Sequence, residues 1–224
     1  MRRRDVCIGM LIIGLVLGCL TRATPLDAAP DAALTLALGN GYSCALIDGG
    51  VSCWGWGPAL GTGNDTDRAT PVGVSGLSSG VKALAAGSGR GHTCALLETG
   101  GVRCWGSNSA GQLGDGTETD RLAPVAVSGL GGSVRAIAAG GTHTCAILDS
   151  GRVQCWGLNA NGQLGSGSTD NQIATPQDVV GIDNAVALTA GTSHTCALLE
   201  TGGMKCWGYN YYGSLGNGSS GNTA

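Results

Sequence analysis

The chain has 224 residues, 42 of them glycine and none phenylalanine, and only 12% are charged. That much glycine excludes long helices, because each interior glycine costs about 0.8–1 kcal/mol against alanine. The glycines keep no collagen period and apolar residues are plentiful, which excludes a collagen-like or disordered chain and favours many short strands joined by glycine turns.

In chain order, a leader comes first. Arg2, Arg3 and Arg4 form a basic start and Val6 to Leu20 is apolar. The apolar run is shorter than the roughly 20 residues of a membrane-spanning helix, so residues 1–23 read as a signal peptide. Val16-Leu17-Gly18-Cys19 resembles a lipobox, which makes Cys19 a lipidation site. The alternative is ordinary cleavage after Thr21-Arg22-Ala23. Residues 24–33 read as a linker. Removing residues 1–22 takes away four arginines and Asp5, moving the formal charge from −3 to −6. An acidic domain without a basic run suits no nucleic-acid partner. Membrane contact is expected only through a lipid on Cys19.

From residue 34 the sequence repeats. Tyr42-Ser43-Cys44-Ala45-Leu46, His92-Thr93-Cys94-Ala95-Leu96, His143-Thr144-Cys145-Ala146-Ile147 and His194-Thr195-Cys196-Ala197-Leu198 recur at intervals of 50, 51 and 51 residues. Each leads to a Cys-Trp-Gly, at Cys53, Cys104, Cys155 and Cys206. A fixed period of this length means that one supersecondary unit is copied and stacked. The units span about 34–80, 81–133, 134–184 and 185–224.

The turns set the cysteine register. Asp48-Gly49 is a two-residue type I′ hairpin signal; counting outward, Cys44 faces Cys53. The later units have three turn residues ending in glycine: Glu98-Thr99-Gly100, Asp149-Ser150-Gly151 and Glu200-Thr201-Gly202. Counting outward there, Cys94 faces Cys104, Cys145 faces Cys155 and Cys196 faces Cys206. The cysteine spacing grows by one when the turn grows by one, so opposition is kept. These cysteines fall on non-hydrogen-bonded sites, where Cα atoms lie about 4.5 Å apart, and four intra-hairpin disulfides follow. The rival reading is a metal site such as His92, Cys94 and Cys104. It lacks a Cys-x-x-Cys and fails in the first unit, where Tyr42 replaces histidine, so no metal or cofactor is expected.

Val81-Lys82-Ala83-Leu84-Ala85-Ala86-Gly87, the hairpin, Trp105-Gly106-Ser107-Asn108, Gly111-Gln112-Leu113-Gly114-Asp115-Gly116 and Arg121-Leu122-Ala123-Pro124-Val125-Ala126-Val127 form one whole unit. It resembles the repeat of the regulator of chromosome condensation family, an all-β propeller in which each repeat supplies about one blade. The resemblance covers residues 34 to 216 and implies a seven-blade ring. This sequence holds about four blades, so an open arc is expected, with apolar residues such as Leu36, Leu198 and Trp207 near its ends. Completion would come from further blades in a longer chain or from an oligomer. The paired cysteines fit an exported branch of the family. In the first unit the asparagine and Gly-Gln are lost.

Within the repeat, Trp54, Trp105, Trp156 and Trp207 are expected to fill the space between blades. His92, His143 and His194 read as buried structural histidines, and Asn108, Asn159 and Asn210 as caps of backbone groups. Four residues escape the repeat: Trp56, and Tyr209, Tyr211 and Tyr212 in one loop. They are either partner-binding residues or a cover for a terminal blade. No Gly-x-Ser-x-Gly, His-Glu-x-x-His or Gly-x-x-x-x-Gly-Lys-Ser/Thr is present, so no catalytic residue is expected. The function expected is an exported, non-enzymatic scaffold for an unidentified protein partner; the alternative is a guanine-nucleotide exchange factor-like regulator of a small GTPase.

Overall fold

The computed structural model describes residues 35–220 apart from Arg90 and Thr169. The leader, Cys19 and the segment before residue 35 lie outside them. Among the described residues fifteen strands run in chain order: β1 Thr35–Leu38, β2 Tyr42–Ile47, β3 Gly50–Gly55, β4 Arg68–Gly73, β5 Val81–Ala86, β6 His92–Leu97, β7 Val102–Gly106, β8 Arg121–Ala126, β9 Val134–Ala139, β10 His143–Leu148, β11 Val153–Leu158, β12 Gln172–Asp178, β13 Ala185–Ala190, β14 His194–Leu199 and β15 Met204–Gly208. One 3-10 turn, Gly57–Ala59, interrupts them.

They form four antiparallel meanders, β1-β2-β3-β4, β5-β6-β7-β8, β9-β10-β11-β12 and the three-stranded β13-β14-β15. The architecture is the all-β propeller that the repeat implies, with four blades described. The turns set the register as their lengths require. Asp48 and Gly49 both adopt positive φ, 51° and 75°, as a type I′ turn demands, and Cys44 pairs with Cys53 across it. In the three longer turns the glycine takes the left-handed place, at φ 81°, 85° and 84°. Cys94 then pairs with Cys104, Cys145 with Cys155 and Cys196 with Cys206. All four pairs sit at disulfide distance, with Cα atoms 4.1 Å apart.

The core lies between blades. One apolar cluster joins Leu46, Val51 and Leu60 of the first blade to Val81, Ala95 and Trp105 of the second. A second joins Leu96, Val102 and Leu113 to Val134, Ala146 and Trp156. A third joins Ile147, Val153 and Leu164 to Ala185, Ala197 and Trp207. Each tryptophan therefore packs backward onto the preceding blade, and its indole N–H donates to a carbonyl there: Trp105 to Ala59, Trp156 to Gln112 and Trp207 to Gln163, each at 2.9 Å. This corrects one expectation: Trp207 is buried against the third blade and does not mark an open end. The large apolar residues exposed on the end sheets are Leu36 and Leu38 on β1, Ile47 on β2, and Val186, Leu198 and Met204 on the last sheet.

Candidate functional site

Two polar motifs recur in the blades, and each has a structural task. His92 Nε2 lies 3.0 Å from Thr144 Oγ1, and His143 Nε2 lies 2.9 Å from Thr195 Oγ1, each across to the next blade. Those hydroxyls donate onward to the Gln112 and Gln163 carbonyls, so the ring nitrogens are the donors to the threonines. Burial pushes His92 down to about 4 and His143 to about 3, keeping both rings neutral. A glycine precedes each ring for a reason: a β-carbon on Gly87, Gly140 or Gly191 would run into His92, His143 or His194. In the first blade Tyr42 does the same job differently. Its hydroxyl donates to the His92 carbonyl at 2.7 Å and accepts from Thr93.

The asparagines clamp their loops. Asn108 Oδ1 accepts from the Leu113 amide at 2.9 Å, and its Nδ2 donates to the Thr117 and Thr119 carbonyls. Asn159 and Asn210 repeat this on Leu164, Ser168 and Asp170, and on Leu215 and Ser219. The first blade has glycine at this place, and it keeps the backbone bond that accompanies the clamp: the Gly57 amide donates to Asp67 as the Asn108 amide donates to Asp120. Among the described residues, no group of three or more His, Cys, Asp or Glu is placed to hold a metal ion.

What departs from the repeat lies at one position and just beyond it. The residue after each Trp-Gly donates its amide to the turn before the hairpin: Trp56 to Gly41, Ser107 to Gly91, Leu158 to Thr142 and Tyr209 to Ser193. Trp56 and Tyr209 are thus equivalent positions on the first and last blades. Trp56 is 42% exposed and, with Asn40, Gly89 and Ser107, lines a groove of about 390 Å³. A β-carbon on Gly91 would strike its ring, so glycine there leaves room for the indole. Tyr211 and Tyr212 are 67% and 85% exposed. With Tyr209 they form one aromatic cluster, the Tyr211 and Tyr212 rings edge-to-face at 5.0 Å. The sequence singled out all four residues. Trp56 and Tyr209 each follow a Cys-Trp-Gly, and the shared amide bond to the turn before the hairpin bears out their equivalence.

With this geometry the comparisons with known proteins are unambiguous. The Regulator of chromosome condensation (RCC1) repeat matches residues 81–112, 134–163 and 185–214 in one form and 99–147 and 150–198 in another. The chain belongs to the RCC1-repeat family. It is 36% identical over 203 residues to the ultraviolet-B receptor UVR8 of Arabidopsis thaliana, covering 88% of this chain and 46% of that protein. It is 35% identical over 166 residues to the human E3 ubiquitin-protein ligase HERC2, covering 70% of this chain and 3% of that one. Among solved structures, human WBSCR16 superposes with a TM-score of 0.75 at 28% identity, over 86% of this chain and 52% of that one. Prp20p of Saccharomyces cerevisiae superposes with a TM-score of 0.73 at 21% identity, over 88% of this chain and 50% of that one, which shows the fold alone. The chain thus spans less than half the length of these two curated relatives.

Proposed function

We propose that this chain is an exported, non-enzymatic RCC1-repeat scaffold that binds a protein partner through its exposed aromatic residues. The observation that carries the reading is the contrast at the equivalent loop positions. Where Ser107 is buried and Leu158 and Tyr209 are half-buried, Trp56 stands in solvent, and just beyond Tyr209 the exposed Tyr211 and Tyr212 replace the small or polar Ser109 and Ala110 of the second blade and Ala160 and Asn161 of the third. Exposed Trp and Tyr supply large contact area at low entropic cost and are enriched at interface hot spots. The four cysteine pairs at disulfide distance support an oxidising compartment and hence export. The histidines and asparagines that recur in the repeat are engaged in joining blades and clamping loops, which fits a scaffold role. Likeness to Prp20p, whose crystal structure concerns binding to Gsp1p and histones, rests on the fold at 21% identity and favours no exchange activity in this chain.

The test is affinity capture from the exported fraction with the intact chain and with Trp56→Ala and Tyr211→Ala variants. Each substitution is expected to weaken retention of a specific partner at least tenfold without lowering thermal stability. Retention unchanged in both variants, or recovery of the chain from the cytosol with eight free thiols, overturns the reading.

A further inference from the structure

The position after each Trp-Gly carries a different side chain in every blade: Trp56, Ser107, Leu158 and Tyr209. Its amide is held alike in all four, so the backbone is constant and the side chain is free to vary. Where the first and second blades meet, a large ring at this position stands beside a small hydroxyl at the next. The difference in size leaves the groove of about 390 Å³ lined by Asn40, Trp56, Gly89 and Ser107. It lies between two complete four-stranded blades.

The lining is polar apart from one ring. Trp105, Trp156 and Trp207 give their indole N–H to carbonyls of the preceding blade, whereas Trp56 makes no such bond among the described residues. The atoms that a β-carbon on Gly91 would meet are Cζ3 and Cε3 of Trp56, so the edge turned to the second blade is the one opposite the N–H. Ser107 is only 8% exposed, yet its hydroxyl bonds to no described residue. Its oxygen is not sealed in, and the opening to it is the groove. The fold does not require serine there, since Leu158 and Tyr209 hold the same place in later blades. An unpartnered hydroxyl at that depth is costly unless something else bonds to it. Gly89 has no room for a side chain, because a β-carbon would strike the Gly141 carbonyl, so that wall stays bare backbone. The exposed Asn40 adds an amide that both donates and accepts. Among the described residues no charged side chain and no second large apolar one lines the groove.

We propose that this groove binds a neutral pyranose ring, which makes a glycan the part of the partner that Trp56 holds. The proposal rests on the partner-binding reading for what carries the sugar, and not for the sugar site itself. A pyranose joins two chemistries in one ring. Its C–H bonds form a weakly positive face, which packs on the negative face of an indole. Its hydroxyls leave the rim, and each donates and accepts. The groove has the same division: one aromatic face, bordered by the Ser107 hydroxyl, the Asn40 amide and the free Trp56 N–H. The sugar lies on the indole, with one hydroxyl bonded to Ser107 Oγ and another to Asn40. An apolar side chain of a peptide would cover the indole but leave the Ser107 hydroxyl unpaired, and pockets for such anchors are walled mainly by apolar groups. A charged group would lose water and find no opposite charge in the lining.

The probes are methyl glucoside, methyl mannoside, methyl galactoside and N-acetylglucosamine, each titrated into the isotope-labelled intact chain. At least one is expected to move the indole N–H resonance of Trp56 with a Kd in the millimolar range, as suits a single ring. The resonances of the buried Trp105, Trp156 and Trp207 are expected to stay in place. Ser107→Ala removes a hydroxyl that bonds nothing in the fold, so it is expected to keep thermal stability and to weaken binding about tenfold. Ser107→Leu installs the side chain that the third blade carries at this place. It is expected to fold and to abolish binding. No response of Trp56 to any of the four sugars, a response undiminished in Ser107→Leu, or a response to a proline-rich peptide in place of the sugars overturns the proposal. Partner capture that Trp56→Ala weakens, with no sugar response, removes the sugar site and leaves the partner-binding reading standing. A sugar response with capture indifferent to Trp56→Ala leaves the sugar site and removes that reading.

Discussion

Among the described residues, the second and third blades have a neighbour on each side and the first and fourth have one. The same motif residues behave differently in the two settings. Cys94, Cys104, Cys145, Cys155, Trp105 and Trp156 are all 0% exposed, while Trp54, Cys196 and Cys206 are half-buried. The strands themselves hardly differ, since each hairpin keeps its turn, its register and its cysteine opposition. The repeat therefore encodes the surface between blades more than the blade. Each unit projects a tryptophan backward and receives one from the unit ahead, so stability is a sum over interfaces.

The sharpest way to break this comparison is to remove a tryptophan from each setting. Trp156→Ala deletes a fully buried indole, leaves a cavity between the second and third blades and orphans the Gln112 carbonyl from one donor. It is expected to cost about 3–5 kcal/mol. Trp54→Ala in a dilute single chain is expected to cost about 1 kcal/mol. Urea unfolding of both variants measures the difference. Equal losses would mean that the blade's own packing, not its neighbour, sets the stability.

A smaller effect separates the cysteine pairs. Closing a loop of ten residues or so contributes about 2–3 kcal/mol in the chain-entropy account, and equally for every hairpin. Replacing Cys145 and Cys155 together by alanine should cost that much. Reduction should not be uniform, because thiolate attack needs access to the sulfur. Cys196–Cys206, half-buried at the end blade, is expected to open first in a dithiothreitol titration followed by peptide mapping. Cys44–Cys53, Cys94–Cys104 and Cys145–Cys155, all 0% exposed, should open later. Linkage of Cys94 to any residue but Cys104 would refute the pairing itself.

The hairpin register was readable because two independent counts, turn length and cysteine spacing, change together. The asparagine clamps were readable from their place in glycine-rich turns. Periodicity carries no direction, however, so it assigned the tryptophans to the gaps between blades without saying which gap each enters. Trp207 was misplaced at an open end for that reason. Nor does a Tyr in the histidine position announce its geometry. Tyr42 reaches the His92 carbonyl because its longer ring puts a hydroxyl where the shorter imidazole puts its nitrogen one bond earlier, and only the packed blades show this. The aromatic residues outside the repeat were visible as exceptions, but their exposure depends on the neighbouring loops.

The smallest effect per step, and the most specific to the inner contacts, is in pH. His92 and His143 titrate in the folded chain at about 4 and about 3, below the ordinary value of 6.5, because burial disfavours the charged ring. Above about pH 6.5 both folded and unfolded chains hold neutral rings, and these groups leave stability unchanged. Below it the unfolded chain takes up two protons that the folded chain refuses. Stability then falls by about 1.4 kcal/mol per pH unit for each histidine, until the pH passes through the folded values. The first blade, with Tyr42 pushed by burial up to about 12, contributes nothing in this window. Denaturant unfolding between pH 7 and 4.5 measures the slope. His143→Gln is expected to lower the overall stability at pH 7 through the lost bond to Thr195 and also to flatten the slope by about one proton. The flattening is the diagnostic, since carboxylates add the same background in both proteins. A slope unchanged by the substitution would mean that the imidazole is protonated in the folded chain, and the donor assignment toward Thr195 would no longer explain how the blades are joined.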